Sequence, residues 1–353
     1  VNNTTTFLQK FHDRIRAMVR QILLCCLLLT ASAFAKPLDI YFIDVEGGQA
    51  TLIVSPSGQS MLVDVGWPGF NGRDGDRILQ TAKKAKLKQI DYVLISHYHT
   101  DHVGGVEQLV DRMKVGTFIT HGPNTETGKN AEVLNGAYQR ALKASGAKEL
   151  IVKPGDTIPL KGVDIQVIAA RGNQITTALS GAGQPNPACA GVEKKNPDPT
   201  ENARSIGFLL THGKFRFINM SDLTHNKELE LACPNNLIGN VDVYLTAHHG
   251  LDASNALPFV HGLKPRVAVM NNGARKGGSP AAIQVVRQSP GLEDLWMVHY
   301  SIASGQEGNV ADSFIANLTE NDEGYGIHVE AEPTGAFSVT NQRNKFEKKY
   351  GTR

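Results

Sequence analysis

The sequence of 353 residues is poor in cysteine and tryptophan, with four of the first and two of the second, and aromatic residues make up 7% of it. So few thiols exclude a disulfide-dense miniprotein. Neither charge is in excess, with 36 Lys and Arg against 34 Asp and Glu. That balance excludes a global electrostatic footprint for nucleic acid, which needs many cations massed together. The short basic stretch 83–88 reads as the solvated face and end of a helix. A membrane-spanning run is missing too, since the apolar stretch 22–29 is far shorter than the ~20 residues a bilayer needs. The 35 glycines and 16 prolines follow no period, which excludes collagen, and with 41% hydrophobic residues the chain is not a disordered one. Length alone allows one large core or two average domains.

What is present begins with Met18-Val19-Arg20-Gln21, the apolar stretch 22–29 and small residues at Ala33 and Ala35. These are the parts of a secretory signal peptide cleaved after Ala35, with 1–17 an upstream extension and 36–353 a single domain with a C-terminal strand extension. Without residues 1–35 the chain keeps 32 basic and 33 acidic residues. Cys25 and Cys26 leave with the peptide. Cys189 and Cys233 remain, either paired in an oxidising compartment or as two free thiols. The expected location is periplasmic or secreted, with no membrane span after cleavage.

Strands and helices then alternate without repeats. Leu38–Val45, Ala50–Ser55 and Ser60–Val65 read as an antiparallel meander, Asp76–Lys86 as a helix and Ile90–Ile95 as a fully buried strand. Helices are expected near Val106–Met113 and Ala131–Ala144, and strands near Thr117–Thr120, Leu150–Val152 and Val163–Ala169. The stretch 171–203 is too polar and broken to be core. The hairpin Ser205–Thr211 and Lys214–Met220 follows, and Ser313–Leu318, Gly326–Ala331 and Ala336–Thr340 look like closing antiparallel strands. Two runs of strands flanked by helices predict an α+β fold: a four-layer αβ/βα sandwich around one core.

The buried strand ending at Ile95 runs into Ser96-His97-Tyr98-His99-Thr100-Asp101-His102-Val103-Gly104-Gly105. Three imidazoles and a carboxylate are costly to crowd together unless a cation holds them, and zinc suits both donor types. His97 and His99 point the same way along extended backbone, Asp101 and His102 fall on the next turn, and one segment can serve two metals. Gly104 and Gly105 let the next helix start close beneath.

This His-x-His-x-Asp-His segment resembles the metal motif of the metallo-β-lactamase superfamily, over about residues 38–263. The resemblance implies the αβ/βα sandwich, a buried aspartate at Asp64 within Leu62-Val63-Asp64-Val65-Gly66, a bridging carboxylate at Asp222 and a last histidine in Ala247-His248-His249-Gly250. His249 is the expected ligand, because neighbours on extended backbone diverge, with His248 behind it or facing substrate. Asp44-Val45-Glu46-Gly47-Gly48-Gln49-Ala50 and the His-His-Gly segment are similar to those of competence-type (ComEC-like) domains, although Glu46 replaces a glycine and Gln49 an aspartate. No histidine lies between His121 and His212 to complete the first metal; Asn202 and Ser205 stand there instead, and His121 is the one upstream histidine able to fold back, though at a strand end it reads more readily as a satisfied surface residue. The second metal therefore keeps Asp101, His102, Asp222 and His249, while the first has His97, His99 and Asp222 and is readily lost.

The cofactor implied is one or two Zn2+ per chain, with another divalent metal such as Mn2+ as the alternative. Zinc brings the pKa of its water near ~7, and Asp101 and Asp222 are the carboxylates able to take the proton. Hydrolysis of a phosphodiester or related ester follows with the fewest added assumptions; a β-lactamase or lactonase, and a metal-holding protein without turnover, are the alternatives. Arg73, Lys129, Arg204, Arg275 and Lys276 border the cleft in sequence but read as solvated surface charges. Trp67 is either pocket wall or packing, and Tyr98 either core or substrate contact. His225, His261, His299 and His328 are isolated and carry no assignment.

Overall fold

The computed structural model of the chain describes residues 36–320 and 323–353. The expected signal peptide and upstream extension lie outside these residues. Strands β1 (Leu38–Phe42), β2 (Thr51–Val54) and β3 (Ser60–Val63) form the expected meander. Helix α1 (Arg73–Lys84) returns the chain so that β4 (Gln89–Leu94) lies parallel to β3. Helices α2 (Thr100–Val103), α3 (Val106–Val110) and α4 (Lys129–Ser145) make the crossovers that add β5 (Lys114–Thr120) and β6 (Lys148–Ile151) in the same direction, since parallel pairing cannot be joined by a tight turn.

A second sheet opens antiparallel with β7 (Asp164–Ala170), β8 (Asn173–Gln174), β9 (Gly207–His212) and β10 (Phe215–Asn219). It continues parallel through β11 (Val243–Leu245), β12 (Val267–Met270), β13 (Asp294–His299) and β14 (Ile315–Asn317). Helices α5 (His225–Ala232), α6 (Leu257–Leu263) and α7 (Pro280–Arg287) make its first three crossovers. The chain then returns to the first sheet, where β15 (Ile327–Ala331) pairs with β1 and is followed by β16 (Phe337–Asn341) and β17 (Glu347–Tyr350). The strand orders are β17-β16-β15-β1-β2-β3-β4-β5-β6 and β14-β13-β12-β11-β10-β9-β7-β8.

Side-chain alternation on the strands accounts for the layering. Leu38, Ile40 and Phe42 of β1 point into the space between the sheets, where Phe208, Phe215 and Phe217 meet them. Phe42 and Phe217 stand edge to face at 5.9 Å. The opposite face of the first sheet packs on Ile78, Leu109 and Tyr138 from α1, α3 and α4. Ile218 and Tyr244 of the second sheet turn outward to Leu229, Phe259, Val260, Ile283 and Val286 from α5, α6 and α7. Each such fully buried side chain contributes about 1.5–3 kcal/mol of transfer free energy. Helices, sheet, sheet and helices are the four layers expected.

Three expectations need correction. Ser313–Leu318 is not part of the antiparallel closure: its ordered part, β14, lies parallel to β13 in the other sheet, and strand direction has no signature in so short an apolar run. β17 has no counterpart in the sequence reading because Lys348 and Lys349 hide the pattern; Tyr350 anchors it, stacked on Phe337 at 4.6 Å and accepting from Trp296 Nε1 at 3.0 Å. The stretch 171–203 is more than a polar loop. It carries β8, buries Glu201 and Ala203, and is tied to α5 by a Cys189–Cys233 disulfide.

Candidate metal centre

The centre forms where strands end. Residues 96–102 leave the carboxyl end of β4, Asp222 that of β10, His249 that of β11 and residues 271–278 that of β12, the end at which α/β sheets generally offer a cleft. His99 is the last extended residue before α2, and Asp101 and His102 ride its first turn. Glycine at 105 is required by close approach, because a Cβ there would sit 2.1 Å from the carbonyl oxygen of Val65. Beyond β10, Ser221 adopts φ 50° and its N–H donates to Asn219 Oδ1 at 2.8 Å, which turns Asp222 inward.

Asp101, His102, Asp222 and His249 each present one ligand atom within 4.8 Å of the other three. The focus is Oδ2 of Asp222: His102 Nε2 lies 3.1 Å from it, His248 Nε2 3.4 Å, His249 Nε2 3.5 Å and His97 Nε2 3.9 Å. His249 Nε2 also lies 3.1 Å from Asp101 Oδ2. Nε2 of His97, Nε2 of His249 and Oδ1 of Asp222 are buried without a hydrogen-bond partner. Buried polar atoms normally find partners, so neutral imidazole and carboxylate donors left unused and convergent are the set a divalent cation would satisfy.

Behind these groups, Asp64 Oδ2 sits 2.8 Å from Nδ1 of His102 and accepts from Ser96 Oγ at 2.6 Å. Such a carboxylate fixes the imidazole tautomer and frees Nε2 for a cation. Burial would raise the Asp222 carboxyl, but His102, His249 and His248 outweigh it and hold it well below the usual range. Asp101 is lowered likewise against burial by His102 and His249. Burial would lower His102, yet Asp222, Asp101 and Asp64 raise it; burial, with His102 nearby, lowers His97.

The expected site residues are not equally convergent. His99 turns away from Asp222, its Nε2 3.1 Å from Glu126 Oε1. His97 reaches the centre only with Nε2, while Nδ1 faces Ser96 Oγ at 3.1 Å and Ser205 Oγ at 3.4 Å. His248 and His249 do not sit on extended backbone: both are left-handed, φ 53° and 54°, and so both face Asp222. His121 is not a surface histidine and does not fold back to the centre; it is fully buried, with Nε2 2.8 Å from Glu201 Oε2. Arg73 pairs with Asp74 and Arg275 with Glu320, but Lys276 is not a solvated charge. Its ammonium contacts Asp101 Oδ2 and lies 4.8 Å over the Trp67 ring, which places Trp67 at the wall of the centre. Tyr98 is buried and donates to Gly122 O at 2.9 Å, a core role.

Sequence reasoning missed Glu126 and Glu201 altogether. Glu201 accepts from Thr125 N at 2.8 Å and Thr125 Oγ1 at 2.6 Å, and its own N–H donates to Glu126 Oε1 at 2.9 Å. A cavity of about 710 Å³ lies at the opposite end of the second sheet, lined by residues such as Lys214, Arg216, Asp242 and Lys264, and contains none of the centre.

Residues 43–183 match the family model described as the metallo-beta-lactamase superfamily. The chain is 23% identical over 270 residues to ComE operon protein 3 of Bacillus subtilis (strain 168), covering 71% of this chain and 31% of that protein. It is 25% identical over 114 residues to a beta-lactamase-like protein 2 homolog of Caenorhabditis elegans, covering 31% of this chain and 38% of the other. The chain thus spans about a third of the length of these curated relatives. Among solved structures, the metallo-beta-lactamase fold protein YhfI from Bacillus subtilis aligns with a TM-score of 0.46 and 12% identity over 74% of this chain and 96% of that one.

Proposed function

We propose that this chain, whose residues 43–183 match the metallo-beta-lactamase superfamily model, is an exported metal-dependent hydrolase of that superfamily acting on a phosphodiester or related ester. The observation that carries the reading is the convergence of Asp101, His102, Asp222 and His249, with orphaned nitrogen and oxygen atoms among them. When bound there, a divalent cation supplies a Lewis acid and acidifies water. The chain supplies the rest. His102 and His249 hold Nε2 toward the centre, Asp64 orients His102, and Asp222 offers a second oxygen able to receive a proton from the attacking water. His248, its side chain 13% exposed where that of His249 is buried, is the more accessible of the two histidines beside Asp222 and the one placed to meet a substrate. Burial lowers its imidazole.

Preference for a phosphodiester rests on the likeness of the Asp44–Ala50 turn and the His-His-Gly segment to competence-type domains, and on the missing third histidine. Export is supported by the signal-like residues 18–35 and by the Cys189–Cys233 disulfide, a bond that persists in oxidising compartments. No helix among the described residues is long and apolar enough to cross a membrane.

The test is metal content together with steady-state rates of the purified chain on bis(p-nitrophenyl) phosphate, a chromogenic β-lactam and a lactone. Metal-dependent turnover of the diester in preference to the other two is expected. Preference for a lactam or lactone moves the protein to that chemistry, and bound metal without turnover makes it a metal-holding protein.

A further inference from the structure

Residues 271–278, between β12 and α7, arch over the metal centre and are clamped there. The N–H of Gly278 donates to the His249 carbonyl oxygen at 2.9 Å. Gly277, at φ 80°, lies so close that a Cβ would meet the same oxygen at 2.2 Å. One residue earlier, Lys276 therefore has a fixed root and a flexible arm. Its side chain is 32% exposed, its ammonium reaches Asp101 Oδ2, and the Trp67 ring lies 4.8 Å beneath it.

The charge around it decides what this ammonium does. Asp101 and Asp222 bring two negative charges to the centre, and one divalent cation cancels them, since histidines that bind metal are neutral. Asp64 is fully buried behind His102, and Glu126 is engaged with His99. Were a cation to take Asp101 Oδ2, the ammonium would give up that contact and keep its place by the Trp67 ring, 4.8 Å away. With the histidines neutral, the Lys276 ammonium is the group in contact with Asp101 and Trp67 that carries positive charge. A neutral ester or lactone gains little from that charge, whereas a phosphodiester carries one negative charge on its non-bridging oxygens, and a hydrogen bond between ionised groups is roughly twice as strong as a neutral one.

We propose that Lys276 is a specificity-determining residue that binds a non-bridging oxygen of an anionic diester, an inference that rests on the hydrolase reading above. The experiment compares the zinc-loaded wild type with Lys276→Met and Lys276→Arg. It measures kcat and KM on bis(p-nitrophenyl) phosphate and on neutral p-nitrophenyl acetate, and zinc retention against a chelator. The methionine variant is expected to raise KM for the diester about ten- to a hundredfold, to leave the acetate within about twofold, and to hold zinc as tightly or more so, because a competitor for Asp101 is gone. The arginine variant restores most of the diester binding. An unchanged diester KM, an equal loss on both substrates, or loss of zinc from Lys276→Met overturns the proposal. Should the wild type hydrolyse neither substrate, the hydrolase reading fails by itself. Lys276 is then judged by equilibrium binding of diphenyl phosphate, which must weaken in Lys276→Met; equal binding overturns the assignment.

Discussion

In one half of the centre Asp101, His102, Asp222 and His249 bring their ligand atoms within 4.8 Å of one another; in the other, His97 stops 3.9 Å from Asp222 and His99 turns to Glu126. Both halves draw on the same seven-residue segment, so the motif itself does not explain the difference. The partners do. The converging half receives Asp222 and His249 from two adjacent parallel strand ends. The other half receives Ser205, whose hydroxyl faces the wrong nitrogen of His97 for a shared cation. A local motif can be complete while the site it implies is only half assembled, because the remaining ligands come from residues more than a hundred positions away.

The largest effect that would break this comparison is at Asp222. Asp222→Ala is expected to cost at least about a hundredfold in cation affinity, since even groups that merely orient ligands cost ten- to a hundredfold. His99→Ala should cost less than about tenfold. Metal content after dialysis against a graded chelator series checks both. Equal losses in the two variants would mean that His99 belongs to the working site and that its contact with Glu126 gives way when a cation binds.

The next effect concerns the loop that supports the weaker half. Cys189 and Cys233 are separated by 44 positions, and closing a loop of that size stabilises the fold by about 4 kcal/mol in the chain-entropy account. Cys189→Ser with Cys233→Ser should lower the unfolding free energy by about 2–4 kcal/mol in urea titrations. The double variant should unfold alike under oxidising and reducing conditions, unlike the wild type, and keep the wild type's zinc retention at the converging half. A matching loss of zinc would show that residues 171–203 support both halves.

How much of this was legible in the sequence depends on how far apart the interacting residues lie. The His-x-His-x-Asp-His segment was readable because its spacing and the buried strand before it are local. Asp222 and His249 were readable because each closes an apolar strand. The four layers followed from which segments were strands and which helices. Lys276 was misjudged because a lysine between an arginine and two glycines looks like solvated loop, and its meeting with Asp101 spans 175 positions. Glu201 went unseen because its partners at 121 and 125 lie across the chain in a different loop. The divergence expected of His248 and His249 assumed extended backbone, which two successive left-handed residues do not have.

The smallest effect compares two buried glutamates, one behind each half. Burial would raise Glu201, but His121 and Thr125 outweigh it and bring the carboxyl down to about 2. Glu228 of α5 accepts from Asn255 N at 3.0 Å and Ala256 N at 2.7 Å, and so braces the loop after His249; burial outweighs these two bonds and the charge of Lys195 and pushes it up to about 8. Their contributions to stability have opposite signs. Glu201 is ionised in the folded chain well below the pH at which it protonates when unfolded, so its contribution is present above about pH 4.5 and is lost as pH falls toward about 2. Glu228 keeps its proton in the folded chain while the unfolded chain gives it up, so stability falls as pH rises from about 4.5 to about 8. Each slope is at most about 1.4 kcal/mol per pH unit. Urea unfolding of wild type, Glu201→Gln and Glu228→Gln across pH 3–9 separates them: the first variant should flatten the acid limb alone, the second the neutral limb alone. If Glu228→Gln leaves the slope between pH 5 and 8 intact, the loop holding His248 and His249 is braced by an ionised carboxylate, and the pH sensitivity of that limb arises at the metal-binding histidines instead.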